Sequence, residues 1–230
     1  MSRAGVVTRL ALRELWITFR LLLLLAAYIG TGAAVALVPA PMPVMLERLA
    51  IGLAASSVIG AATAAWSLSR ERGLGRAGWL VTRSIPRATI LVGWFLALGI
   101  VTALGLAAAG VLGWLAATGS GTVTVLHPFA FGAVVASIGC GALALIGLGL
   151  LVGALLRPGP ATLIAAVLGT AAVGVPWLAA PRVAAPPEAL ALLPALASPI
   201  TVAAQGAGGS MVAAGFLLLL ARVVLDRVDL

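Results

Sequence analysis

The chain has 230 residues, 63% hydrophobic and 9% charged, with a mean hydropathy of +1.22 and a net charge of +8. A water-soluble domain of that length has no core large enough to hide so much apolar surface, so composition excludes it and indicates an integral membrane protein. Nor does the positive charge point to nucleic acid, because the arginines fall in the gaps between apolar runs rather than on a water-facing basic surface.

Uncharged runs occupy 21 to 46, 49 to 69, 88 to 156, 158 to 181 and 189 to 221. About 20 helical residues cross a hydrocarbon core of about 30 Å, so the longest run holds two spans, parted near Thr118 to Pro128. The expected fold is an all-α membrane protein in one domain of six spans, at about 21-38, 49-69, 88-117, 129-156, 161-180 and 205-225. With a cytoplasmic N-terminus, twelve of the fourteen arginines lie inside and only Arg48 and Arg182 outside, which the positive-inside rule favours. Six spans place both termini in the cytoplasm. All fourteen basic residues are arginine, a usage that suits a high-GC bacterial genome and hence a bacterial cytoplasmic (inner) membrane. No cleavable signal peptide is expected, and the single Cys140 allows no internal disulfide.

In chain order, residues 6-20 read as an amphipathic interfacial helix. At 100° per residue, Arg9, Arg13 and Arg20 fall within about 40° of one another, with Val7, Leu10, Ala11, Leu15 and Phe19 spread over the other side. Glu14 lies about 100° from that stripe, among apolar groups, where a carboxylate needs a partner inside or outside the subunit unless it turns to headgroup water. Pro39, Pro41 and Pro43 suit a short external turn. Ser56, Ser57 and Thr63 in the second span either bond a carbonyl one turn back or line a polar path. The stretch 70-87, Arg70-Glu-Arg-Gly through Arg83-Ser-Ile-Pro-Arg87, carries five arginines and reads as a cytoplasmic loop that meets a soluble partner. The outer loop before the fourth span holds His127, the one histidine, so no multi-histidine metal site exists. Gly149-Leu-Leu-Val-Gly153 fits the small-residue helix-contact pattern, but among 28 glycines such a match is expected by chance. Arg157-Pro-Gly-Pro160 is a tight turn. Residues 181-204, greasy yet broken by prolines, suggest short outer re-entrant helices, and Arg222 and Asp226 are spaced for a helical pair.

The interior is informative for what it lacks. No charged residue is expected near the bilayer centre, which argues against a proton-coupled carrier or voltage sensor. A His-Glu-x-x-His element and a P-loop are both missing; with no lysine in the chain, ATP must be hydrolysed by another polypeptide if it is used at all. No catalytic, cofactor or metal residue is therefore assigned.

The order of elements resembles the membrane subunits of type-2 ATP-binding cassette exporters. Ser69-Arg-Glu-Arg-Gly73 is similar to that family's Glu-Arg-Gly element after the second span. Thr82-Arg-Ser-Ile-Pro-Arg87 followed by Ile90-Leu-Val-Gly93 is similar to its Pro-Leu-Ser-Arg turn, with proline and serine exchanged and Trp94 where lysine is frequent. Leu193-Pro-Ala-Leu-Ala-Ser-Pro-Ile-Thr201 and the Asp-Leu ending agree as well, with Ser198 in place of asparagine. The resemblance implies a permease subunit without its own ATPase site, paired with a second copy or a similar subunit. It also implies docking on a cytoplasmic ATPase that carries ATP and Mg. The residues that would meet this ATPase are Glu14, Arg70, Glu71, Arg72, Arg76, Arg83, Arg87 and Arg157; lipid headgroups are the competing partner for the arginines. Tyr28, Ser56, Ser57 and Trp177 are candidates to line a path for an apolar or amphipathic substrate. A six-span substrate-binding component of a vitamin uptake system is the alternative. A membrane enzyme acting on lipids or peptides is a third class, for which the chain supplies no catalytic groups.

Overall fold

The structure, a computed structural model, describes residues 2-38, 42-74, 85-119, 128-179 and 199-227. Among these residues every regular element is helical: α1 Arg3–Ile17, α2 Arg20–Leu37, α3 Met42–Gly73, α4 Arg87–Gly119, α5 Pro128–Leu155, α6 Pro158–Ala179 and α7 Pro199–Arg227. Five of them contain stretches long and apolar enough to cross a membrane: Arg20–Leu37, Glu47–Gly73, Arg87–Ala116, Phe131–Leu155 and Ala207–Arg227. Wide apolar surface faces outward on these helices, at Leu104, Val111, Val212, Phe216 and Leu219 among others, as a lipid solvent requires.

Several boundaries differ from the sequence reading. The amphipathic helix does not run from 6 to 20; α1 stops at Ile17 and Arg20 opens a separate helix. The break is local. Thr18 gives both its N–H (3.0 Å) and its Oγ1–H (2.8 Å) to the Glu14 carbonyl, and Phe19 adopts φ 58°, the left-handed region. Arg20 therefore leaves the stripe of Arg9 and Arg13. Of the residues on the side away from the arginines, Leu10 and Phe19 are exposed, while Val7, Ala11 and Leu15 join Thr8 in the buried face.

The region 70-87 is also less of a loop than expected. Arg70, Glu71 and Arg72 belong to the last turn of α3, and Arg87 is the first residue of α4. At 32 residues α3 is about 48 Å long, more than the hydrocarbon core needs, so its charged end reaches the headgroup level. Similarly α7 begins at Pro199, so the final residues of the 181-204 segment are continuous helix; residues 180-198 lie outside the described residues.

The helices alternate in direction. α5 packs on α7 and α3, α2 on α4, α6 on α3, and α1 along the start of α4. Besides a smaller one of Ala65, Val152, Ala161 and Ala165 between α3, α5 and α6, two large apolar clusters result among the described residues. One, at the end where α3, α5 and α7 finish, joins Leu15, Leu68, Trp94, Leu98, Leu150 and Leu225; the other joins Tyr28, Leu49, Leu53, Leu106 and Phe131. The Gly149/Gly153 pair is used after all, contrary to the chance match expected from composition. A Cβ at Gly153 would stand 2.6 Å from the Ala65 carbonyl oxygen, and one at Gly149 would strike that of Ala61, so α3 and α5 touch backbone to backbone.

Candidate functional site

Apart from Glu47 and Arg48 near the opposite end, most of the described charged residues gather where α1, α3, α5 and α7 end and α2, α4 and α6 begin. Four contacts organise that end. Glu14 Oε1 lies 3.7 Å from Arg70 Nη1, so the carboxylate on α1 finds a cation within the subunit, at the end of α3. Arg72 donates to the carbonyl oxygens of Gly153 and Ala154, in the last turn of α5. Arg87 donates to the Leu225 carbonyl at 2.6 Å, in the last turn of α7. Arg20 lies over the Trp66 ring, 5.0 Å from its centroid, and donates a long bond of 3.5 Å to Ser67 Oγ.

The physical reason for the second and third contacts is the same. The last carbonyls of a helix have no intrahelical donor and carry the negative end of its dipole, so a guanidinium from a neighbouring helix satisfies both. Arg72 and Arg87 thus cap α5 and α7 rather than pointing freely outward, and they flank residues 75-84 on either side. Of the other residues proposed to meet an ATPase, Arg157 is exposed in the short α5–α6 connection and Glu71 is half-buried at the end of α3. Arg76 and Arg83 lie outside the described residues. Arg9 and Arg13 of α1 and Arg222 and Arg227 of α7 add exposed positive charge, with Asp226 paired to Arg222 at 3.8 Å.

Neither the sequence spacing nor any motif pairs Arg72 with α5, Arg87 with α7, or Arg20 with Trp66; the partners are 46 to 138 residues apart. A hint for the caps exists only in retrospect, in arginines standing one turn from the ends of apolar runs.

No protein-family model and no curated protein matches this chain. Function must therefore be argued from these residues.

The pathway candidates are drawn together only in part. Tyr28 is fully buried and its hydroxyl lies 3.2 Å from Ser57 Oγ; Thr31 Oγ1 lies 3.4 Å from Ser56 Oγ. Ser56 and Ser57 each also donate to the carbonyl four residues back, at 2.9 and 2.7 Å. This is a closed hydroxyl seam between α2 and α3. Ser57 borders a cavity of about 390 Å³ that Ser210 also lines. The side chain of Trp177 is outside the described residues.

Two further grooves lie between helices. The larger, about 640 Å³, separates α4 from α5 and is walled by apolar and small residues such as Ala103, Gly110, Trp114, Phe131 and Val135. The smaller, about 430 Å³, lies between α2, α3 and α6 and has Arg20 and Trp66 at its charged end. Among the described residues no group of histidine, cysteine and carboxylate side chains could hold a metal ion.

Proposed function

We propose that the chain is the membrane-spanning permease subunit of an ATP-binding cassette exporter, moving an apolar or amphipathic substrate with ATP hydrolysed by a separate cytoplasmic subunit. In this reading α6 also crosses the membrane, as the fifth of six spans in chain order, the arginine-rich end faces the cytoplasm of a bacterium, and two such subunits pair in the inner membrane. The orientation is supported by the charge asymmetry: Arg20, Arg70, Arg72, Arg87, Arg157, Arg222 and Arg227 stand at helix ends on one side, against Glu47 and Arg48 near the start of α3 on the other.

The observation that carries the proposal is the pair of arginine caps. Residues 75-84 connect α3 to α4, and the arginine on each flank, Arg72 and Arg87, is tied to the end of a further helix, α5 or α7. A push on this connection by a motor subunit is then shared among four helices instead of bending one. Glu71, Arg76 and Arg83 serve as the contact with the motor, while Arg72 and Arg87 transmit its movement.

The test is co-purification with the ATPase encoded beside the chain, comparing wild type with Glu71→Ala, with Arg76→Glu plus Arg83→Glu, and with Arg72→Met. The contact variants should lose assembly. Arg72→Met should assemble yet lose the stimulation of ATP hydrolysis by the membrane subunit. Unchanged assembly and hydrolysis in all three would sink the proposal, as would the lack of any ATPase that binds.

A further inference from the structure

We propose that the groove beside Arg20 is a binding site for one anionic phospholipid, its phosphate on the Arg20 guanidinium and one acyl chain along α3. The proposal does not depend on transport.

Arg20 is the first residue of the candidate span Arg20–Leu37, which sets its guanidinium at headgroup depth. Its position is fixed by stacking on Trp66, 5.0 Å from the ring centroid. Its hydrogen bonding is not satisfied, however. Among the described residues the guanidinium's bond is the long one to Ser67 Oγ, 3.5 Å, although its planar fork carries five N–H donors. The nearby Glu14 carboxylate is engaged by Arg70, so among the described residues acting on Arg20 a second cation, Arg70, offsets that one carboxylate. The same wall has a further unmet donor, because Trp66 Nε1 is buried without an acceptor among the described residues. A phosphate matches such a corner in charge and in the number of acceptors it offers.

Below the arginine the chemistry changes at once. Leu23, Ile59, Ala62 and Ala166 line the groove, which follows α3 from Trp66 to Val58, about 12 Å of helix. A cation at the headgroup level above an apolar channel running toward the bilayer centre selects an amphipath with an anionic head. The volume, about 430 Å³, is within the range of ligand sites, roughly 300–1,000 Å³. The larger groove between α4 and α5 has no charged group on its walls and so cannot discriminate among heads.

The intact chain in detergent is titrated with phosphatidylglycerol, with phosphatidylcholine and with oleate, and bound lipid is counted by native mass spectrometry. Phosphatidylglycerol should bind as a single copy in clear preference to phosphatidylcholine. Arg20→Gln should weaken it roughly tenfold or more and erase the preference, since a charge-assisted bond is lost. Arg20→Lys, which keeps the charge and loses the fork, should be intermediate. Ala62→Leu, which fills the channel and leaves Arg20 in place, should also weaken binding, whereas Arg222→Gln should not. Should Arg20→Gln fail to fold, Ala62→Leu and Arg20→Lys still decide the matter. Equal binding of the two phospholipids, unchanged binding in Arg20→Lys and Ala62→Leu, or occupancy by oleate with exclusion of phosphatidylglycerol would each overturn the proposal.

Discussion

The Arg87 guanidinium donates to the carbonyl oxygen of Leu225 at 2.6 Å, across 138 residues of chain. Arg72 makes the equivalent contact with Ala154, across 82 residues. Both close the open end of a neighbouring helix with a cation. A hydrogen bond from a charged donor is worth about 1.5–3 kcal/mol, and leaving the carbonyls unmet adds to the loss. Arg87→Met and Arg72→Met should therefore each lower the thermal midpoint of the purified protein by several degrees. Replacement by lysine should restore part of it; a midpoint unmoved by methionine would show that the caps do not hold the bundle.

The contact of Gly149 and Gly153 with Ala61 and Ala65 leaves no space for a side chain. Gly153→Leu should separate α3 from α5 and give a protein that is poorly expressed or aggregates on extraction. Gly153→Ala should be milder but still destabilising, because the new methyl must move a backbone carbonyl rather than a flexible side chain. Gly174, where an added Cβ would meet nothing within 4 Å outside its own helix backbone, is the control: Gly174→Ala should be neutral or slightly stabilising in the same melting assay.

Glu14 and Arg70 join α1 to α3 at 3.7 Å, with side chains 23% and 39% exposed. Partial exposure limits such a pair to at most about 1 kcal/mol. A double-mutant cycle of Glu14→Gln and Arg70→Gln, read by thermal or denaturant unfolding, should give a coupling of that size. The coupling should shrink as salt is raised. A coupling of several kcal/mol would mean that the pair is buried by an additional partner.

Phe19 sits at φ 58°, where a side chain costs about 1–2 kcal/mol relative to glycine. It is also 71% exposed, so little packing within the subunit opposes its replacement. Phe19→Gly should keep the elbow between α1 and α2 and leave stability near wild type. Phe19→Pro cannot reach that φ and loses the N–H bonded to the Trp16 carbonyl, so it should release α1 from α4 and expose the α1 backbone to protease. Equal protease resistance of the two variants would show that the elbow does not position α1.

The elbow also shows why the boundary at residues 18 to 20 was illegible. Left-handed backbone is signalled in sequence by glycine or asparagine, and here a phenylalanine adopts it. The seam of Tyr28 with Ser57 was illegible for a different reason. Hydroxyl residues in apolar helices suit both carbonyl bonding one turn back and contact between helices, and Ser57 makes both, to Leu53 and to Tyr28. With Gly149 and Gly153, composition misled outright: glycine was too common for a spaced pair to stand out, and only the Ala61 and Ala65 backbones opposite it gave the pair meaning.

Composition and the placing of charge are enough to settle the class of molecule: helical, apolar on its outside, with its arginines kept to the ends of apolar runs. Those properties follow from the solvent, since hydrocarbon satisfies no backbone group and tolerates no bare charge, and every residue in a span obeys that rule without reference to its neighbours. Tertiary structure alone decided which charge answers which helix end. The carbonyls that hold Arg72 and Arg87 belong to residues of no special type, Ala154 and Leu225, and become acceptors only because two helix ends and an arginine are brought to one place. The Arg20 corner is set in the same way, by a tryptophan and a groove contributed by three helices that meet only in the folded chain.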